Sequence, residues 1–403
     1  MIANGERRVV VVEHVVVVGA GLGGVRTVEQ LRNQGYRGRI SLVGAEPHAP
    51  YDRPPLSKQI LTGAWAPERI VLKDAEALAG LAVDTHFGVP AVGLTAGAVE
   101  LADGRSLAAD AIVVATGAEA RRLPGQPDGV HTLRTLDDAL ALKAALEEAP
   151  SLLVVGAGFI GAEVASAARD RGLAVTVLEA GPVPCERALG PEVGVLCGRM
   201  LTEAGVDLRL GTTMAGFADA RTVRLAGGTR LSADVVLVGV GAVPRVDWLR
   251  TELDLDVTNG LACDASGRVL GADGVWAVGD VAAWDDAGHG GRFRYEHWTS
   301  VTDQAAVVAR DILGVEAPAP AVPYFWSDQF GLKIQMAGRP QVADSVVPLQ
   351  GEGLAGGPVK GTVAGYFAGD RFVAVAGFGA AKQVARHRML LVRGAEKSEV
   401  LAG

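Results

Sequence analysis

Cysteine is scarce in this chain. Three of 403 residues are cysteine (Cys185, Cys197 and Cys263), and no two stand in C-x-x-C spacing. Neither a zinc site nor a disulfide framework is indicated, and a reducing cytoplasm suits such a sequence. Positive charge is in the minority: 38 Lys and Arg stand against 46 Asp and Glu, a formal net charge of −8. A general nucleic-acid binder would show a basic patch or stripe. Long apolar runs are missing too. The opening MIANGERRVVVVEHVVVVGAG imitates a signal peptide, with Arg7 and Arg8 ahead of valines. Glu13 and His14 break that run, however, and it ends in a glycine turn instead of a cleavage site. No stretch has the length of a membrane span. The expectation is a cytoplasmic protein, ordered from about Val9, that binds neither nucleic acid nor membrane.

What the chain has in plenty is apolar residues (49%) and glycine (54 in all, with no collagen-like period). The first suffices for packed cores, and the second points to tight turns and close backbone approaches. Runs such as VVVV, RISLVG, LLVVG, AVTVLEA and ADVVLVGVG alternate with Ala- and Leu-rich stretches of helical character. This is the pattern of α/β units with parallel sheets.

Two of these strands run into G-x-G-x-x-G turns, about 137 residues apart. In the first, Gly19 allows the tight turn, Gly21 admits a pyrophosphate to the backbone, and Gly24 permits close helix–strand packing. Glu46 follows about 20 residues on, where the dinucleotide fingerprint has its acid. The second uses Gly156, Gly158 and Gly161, with Glu179 closing VTVLEA. A carboxylate there accepts hydrogen bonds from ribose hydroxyls and repels a 2′-phosphate, and the next residue is Ala180 rather than an arginine. Two such sites imply two cofactors, and FAD with NADH is the economical pair.

The phrase ADAIVVATGAEARRLPG, ending its strand at Ala115, Thr116 and Gly117, is echoed by SADVVLVGVGAVPR around Gly241. Both read as exit strands of nucleotide domains related by duplication. GVWAVGDVAAW then returns the chain to the first domain, with Gly279 and Asp280 after a strand; an acceptor there suits ribityl hydroxyls. In YEHWTSVTDQAAVVARDILG, Thr299 or Ser300 is expected to cap a helix running to about Leu313, with Trp298 and Trp326 as walls for a flavin ring. The Pro-rich VEAPAPAVP leads to a C-terminal segment rich in strand formers.

YDRPPLSK, VVATGAEARRLPG, LRTLDDA, GAGFIGAE, GVWAVGDVA and YFWSDQFGLKIQMAG occur in the order found in FAD-dependent NADH–ferredoxin reductases. The chain resembles the putidaredoxin reductase and aromatic-ring dioxygenase reductase type, within the glutathione-reductase-like fold, over essentially its whole length. The expected architecture is α/β: two Rossmann-like dinucleotide-binding domains, one for FAD and one for NAD, plus a C-terminal α+β interface domain. The FAD domain would span 9–118 and 246–319, the NAD domain 119–245, and the interface domain 320–403. The resemblance implies that Gly23 approaches the FAD phosphates, Arg53 and Lys58 contact the cofactor, and Val89 lies near the adenine. It also implies that Arg134 holds the flavin nucleotide, Asp280 the ribityl chain, and Val301 the ring. Two positions depart from the family pattern. Ala45 replaces a common acid, which would pass the ribose contact to Glu46, and Arg245 stands where asparagine is frequent.

Lys58 and Glu163, from different domains in this reading, are the catalytic pair that the resemblance puts beside flavin N5. Buried apart they would be costly, so they are expected to pair. Electrons would pass from NADH through FAD to a ferredoxin, of the 2Fe-2S type, that serves an oxygenase. Rubredoxin reduction uses the same machinery. NADH oxidase or disulfide chemistry would need a thiol near the flavin, and no cysteine lies between Ser41 and Leu61. A redox-sensing flavoprotein of the apoptosis-inducing-factor kind shares the Lys and Glu pattern but lacks a targeting segment here. For ferredoxin docking, AAKQVARHRMLLVRG offers Lys382, Arg386 and Arg388 at helical spacings.

Overall fold

The computed structural model describes residues 12–249, 253–286, 290–316, 318 and 321–402. Val9, and the domain boundary drawn at 319–320, lie outside the described residues. Contacts divide the chain into two units. One takes residues up to 52, 71–118 and 244–321; the other takes 53–70, 119–243 and 322 onward.

The first unit is built on a five-stranded parallel sheet in the order Val275–Ala277, Ala111–Val114, His14–Val18, Arg39–Gly44, Val83–Phe87. The central strand is nearly all valine because both faces are covered, as parallel sheets require, and Val15, Val16 and Val17 are fully buried. Helices Leu22–Asn33 and Trp298–Ile312 pack together and cover one side. An antiparallel meander, Ala91–Thr95, Ala98–Leu101 and Ser106–Ala108, links two of the parallel strands.

The second unit repeats the plan. Its parallel sheet runs Val235–Val238, Ser151–Val155, Ala174–Leu178, Asp207–Arg209, and a meander of Met214–Asp219, Thr222–Leu225 and Arg230–Ser232 precedes the exit strand. In both units the glycine-bearing strand lies between the exit strand and the next strand in sequence. The same unit holds a five-stranded antiparallel sheet in the order Tyr324–Gln329, Leu332–Gly338, Arg371–Phe378, Val363–Ala368, Ser345–Gln350, with helix Ala381–Val392 against it. The Tyr366 hydroxyl donates to the Leu189 carbonyl at 2.7 Å, tying that sheet to helix Glu186–Glu203.

Two expectations need correction. Helix Trp298–Ile312 starts one residue before Thr299, and extended His297, not a hydroxyl, is its N-cap; no side chain closes that end. Segment 53–70, expected within the FAD domain, sorts with the second unit. Its central turn, Leu56–Ile60, is a π-helix, a form found mostly as single turns and often at functional sites.

Candidate active site

Both glycine turns have the geometry that a dinucleotide needs. Gly19 has φ +116°, and a Cβ on it would sit 2.2 Å from the Ala115 carbonyl oxygen. Gly156 repeats this at φ +103°, 2.5 Å from the Gly239 oxygen. Gly24 and Gly161 let their helices close on the strands, since a Cβ would lie 1.9 and 2.1 Å from the oxygens of Gly19 and Gly156. Gly21 is different: a Cβ there meets nothing within 4 Å. Gly21 and Gly158 are helix N-caps without a capping side chain, so the first-turn N–H groups remain for an anion. These residues fit dinucleotide phosphates.

In the first unit, Gly23 and Gly279 meet over Val301, whose methyls would lie 3.3 and 3.4 Å from a Cβ on either glycine. The Gly279 N–H donates to Gln304 at 2.8 Å, which fixes the turn carrying Asp280. Tyr51 donates its hydroxyl proton to Glu46 at 2.5 Å, holding that carboxylate two residues beyond strand Arg39–Gly44. Trp298 donates to Asp52 at 2.9 Å under the Arg26 guanidinium. Burial pushes the His297 imidazole down to about 4, against the opposing pull of Asp280, so it is neutral at pH 7. Thr116 and Gly117 are both tied to the backbone of Arg245, at 2.9 Å each. This gives Arg245 a structural role through its main chain. The Val89 N–H donates to the Gly44 carbonyl at 3.1 Å.

In the second unit, Lys58 and Glu163 do pair, with Nζ 2.8 Å from Oε2. They belong to one unit, not two as the sequence reading had it. The carboxylate is 4% exposed and has three donors. The Ser327 hydroxyl donates to Oε1 at 2.5 Å, and the Ser57 hydroxyl and Lys58 share Oε2. Such added hydrogen bonds are what make a buried ion pair tolerable. Lys58 also donates to the Pro54 carbonyl at 3.1 Å. An ammonium has three hydrogens; the third has no partner among the described residues, which fits a ligand atom that accepts a hydrogen bond. Arg53 donates to the Arg134 carbonyl at 2.6 Å, bringing together two of the expected flavin contacts. Trp326 stacks on Tyr324, and the Lys333 ammonium lies over the Trp326 ring, 5.8 Å from its centroid.

Glu179 latches the second glycine turn. One of its oxygens accepts the Ala157 N–H and the other the Gly181 N–H, both at 2.8 Å. Gly241 accepts from the Arg121 N–H at 2.9 Å. Cys185 and Cys197 share one buried cluster, and the Cys185 thiol donates to the Ala157 carbonyl at 3.5 Å. The neighbouring Cys197 thiol, then burial, pushes the Cys185 thiol well above its usual range. A thiol held protonated is a poor nucleophile. All three cysteines are free and buried.

Sequence reasoning passed over Ser57, Ser327 and Gln329. RPPLSK and FWSDQ contain them, but nothing local marks a hydroxyl as the partner of a residue more than a hundred positions away.

Comparison with known proteins agrees with this geometry. Residues 13–305 match the family described as pyridine nucleotide-disulphide oxidoreductase, and residues 324–402 match the reductase C-terminal family. The chain is 43% identical over 333 residues to the ferredoxin reductase component of chlorobenzene dioxygenase from Cupriavidus sp. (strain PS12), covering 81% of this chain and 80% of that protein. It is 36% identical over 342 residues to rubredoxin-NAD(+) reductase from Pseudomonas putida, covering 83% and 88%. Among solved structures, the covalent putidaredoxin reductase-putidaredoxin complex matches with a TM-score of 0.90 and 31% identity, over 96% of this chain and 95% of that one. The strands, the two glycine turns and the buried Lys–Glu pair thus belong to a chain of the pyridine nucleotide-disulphide oxidoreductase family, in the group of ferredoxin reductases that carry the reductase C-terminal domain.

Proposed function

We propose that this protein is an FAD-dependent oxidoreductase that takes electrons from NADH and delivers them to a ferredoxin serving an oxygenase. When bound, FAD supplies the switch between two-electron hydride acceptance and one-electron delivery. The observation that carries the reading is Lys58. Its ammonium is half-buried and held by Glu163 and Pro54, and among the described residues one N–H is left to present to a flavin. A fixed positive donor favours an atom that gains electron density. Gly19, Gly21, Gly23 and Gly24 would hold the FAD pyrophosphate, with Glu46, Arg134 and Asp280 on its hydroxyls and phosphates. Gly156, Gly158 and Gly161 would hold that of NADH, with Glu179 at the ribose. The test is anaerobic titration with NADH, followed at the flavin absorbance, with ferredoxin then added as acceptor. A purified, folded protein that neither contains nor takes up flavin ends this reading.

A rubredoxin is the second reading for the acceptor, since a rubredoxin reductase is among the relatives. A 2Fe-2S ferredoxin is preferred because the matched solved complex is with putidaredoxin and the relative at 43% identity serves a dioxygenase. The net charge of −8 speaks against nucleic acid, and no helix among the described residues is long and apolar enough to cross a membrane. Free, buried cysteines suit the reducing cytoplasm.

Ferredoxins are generally acidic, so docking needs a local basic face on this acidic chain. On helix Ala381–Val392, Lys382, Arg386 and Met389 form an exposed stripe that Arg393 extends. Arg388 does not join it: its guanidinium lies over Tyr324 at 5.1 Å and donates to the Val322 carbonyl at 3.3 Å. Reversing Lys382 and Arg386 to Glu is expected to raise KM for ferredoxin about tenfold and flatten its salt dependence. Ferricyanide reduction should hardly change, since a small dye needs no docking face. Equal losses with both acceptors would instead indicate damaged folding.

A further inference from the structure

We infer that Ser57, Ser327 and Gln329 are positioning residues that fix the plane of the Glu163 carboxylate and, through it, the aim of the Lys58 ammonium. The last torsion of a glutamate is broad and roughly two-fold, so an ion pair alone would leave the carboxylate free to swing. Here the two hydroxyls grip opposite oxygens: Ser327 holds Oε1 at 2.5 Å, and Ser57 holds Oε2 beside the Lys58 nitrogen. The direction of the Ser327 bond is also set. Gln329 Nε2 donates to Ser327 Oγ at 3.0 Å, so the single hydroxyl proton of Ser327 is left for Glu163. Ser327 and Gln329 are each 1% exposed and Ser57 2%, so solvent has little access to replace a lost donor. The alternation of strand Tyr324–Gln329 puts residues 327 and 329 on one face. The neighbour relation of Ser57 and Lys58 in the π-helical turn lets both reach one oxygen.

The inference rests on the proposed reading in which Lys58 acts on a bound flavin. In the holoenzyme, Ser327→Ala is expected to slow flavin reduction by NADH about ten- to a hundredfold, as loss of a hydrogen bond to a charged group implies. FAD content should be unchanged. Ser327→Thr keeps the hydroxyl and should recover most of the rate. Gln329→Met touches neither Glu163 nor Lys58, yet it should slow reduction in the otherwise unaltered protein and add nothing in a Ser327→Ala background. A second measurement does not use NADH: brief acylation of the holoenzyme, with label at Lys58 read by mass spectrometry against exposed Lys382. Ser327→Ala should raise Lys58 labelling several-fold. Unaltered kinetics and labelling in Ser327→Ala, or Ser327→Thr as slow as Ser327→Ala, overturns the inference. If the parent protein is not reduced by NADH, the proposed function fails while the labelling still decides whether the serines position Lys58. Should Ser327→Ala not fold, Gln329→Met carries the same two expectations.

Discussion

Lys58→Ala is expected to slow anaerobic reduction of the bound flavin by NADH about a hundredfold at pH 7, while the protein keeps its FAD. The size follows from removing one preorganised donor from a site shielded from water, where such losses run to about 10²–10³ in rate. In the proposed reading FAD is retained elsewhere, by the glycine turn at Gly19 to Gly24 and by Asp280. Glu163→Ala should slow the same step and, like Lys58→Ala, weaken the fold. It leaves an ammonium and two buried hydroxyls without their acceptor, and breaking a buried ion pair from one side costs about 3–5 kcal/mol. Lys58→Ala with Glu163→Ala should therefore be less than additive in rate and in urea midpoint, because each partner is costly mainly when left alone. Stopped-flow reduction with excess NADH reads the first quantity. Independent effects in the double variant would mean that the pair does not act as a unit.

Glu179→Gln combined with Ala180→Arg is expected to shift the ratio of kcat/KM for NADPH over NADH by about ten- to a thousandfold. The first change removes repulsion of a 2′-phosphate, and the second supplies a bidentate partner for it. Ala180 is exposed and half-buried Glu179 stands at the end of strand Ala174–Leu178, so an arginine can be added without disturbing the core. Glu179 also has a structural task, since its two oxygens hold the Ala157 and Gly181 N–H groups. Its amide replacement keeps one acceptor and loses the other, at about 1–3 kcal/mol. The double variant should thus melt somewhat lower than Ala180→Arg alone, which keeps the latch and should change preference little. A parent enzyme that already favours NADPH would show that Glu179 does not read the ribose.

The fold was legible where the signal is local. A valine run ending in G-x-G-x-x-G specifies strand, tight turn and helix within about a dozen residues, and both turns formed as read. The echo between the two exit-strand phrases likewise became two sheets with the same strand order. The start of helix Trp298–Ile312 was less legible. Thr299 and Ser300 are good capping residues, but His297 adopts the extended backbone at that end, and Ser300 is buried inside the helix. Lys382, Arg386 and Arg388 in AAKQVARHRMLLVRG were all legible as helical, yet spacing alone did not say that Arg388 turns back to Tyr324.

By itself, the sequence determined two dinucleotide-type α/β units, an acid at the end of each second strand, the scarcity of thiols, and, through resemblance, the pairing of Lys58 with Glu163. These are properties of short windows or of recognisable phrases. Only the tertiary structure decided that segment 53–70 joins the second unit, that Cys185 and Cys197 share one buried cluster, and that Glu163 is held by hydroxyls 106 and 164 positions away. Serine is common and its hydroxyl is polar wherever it stands, so composition and periodicity assign it no partner. The partner is chosen when a π-helical turn, a helix and a strand pack around one carboxylate, and burial leaves that carboxylate no water to use instead.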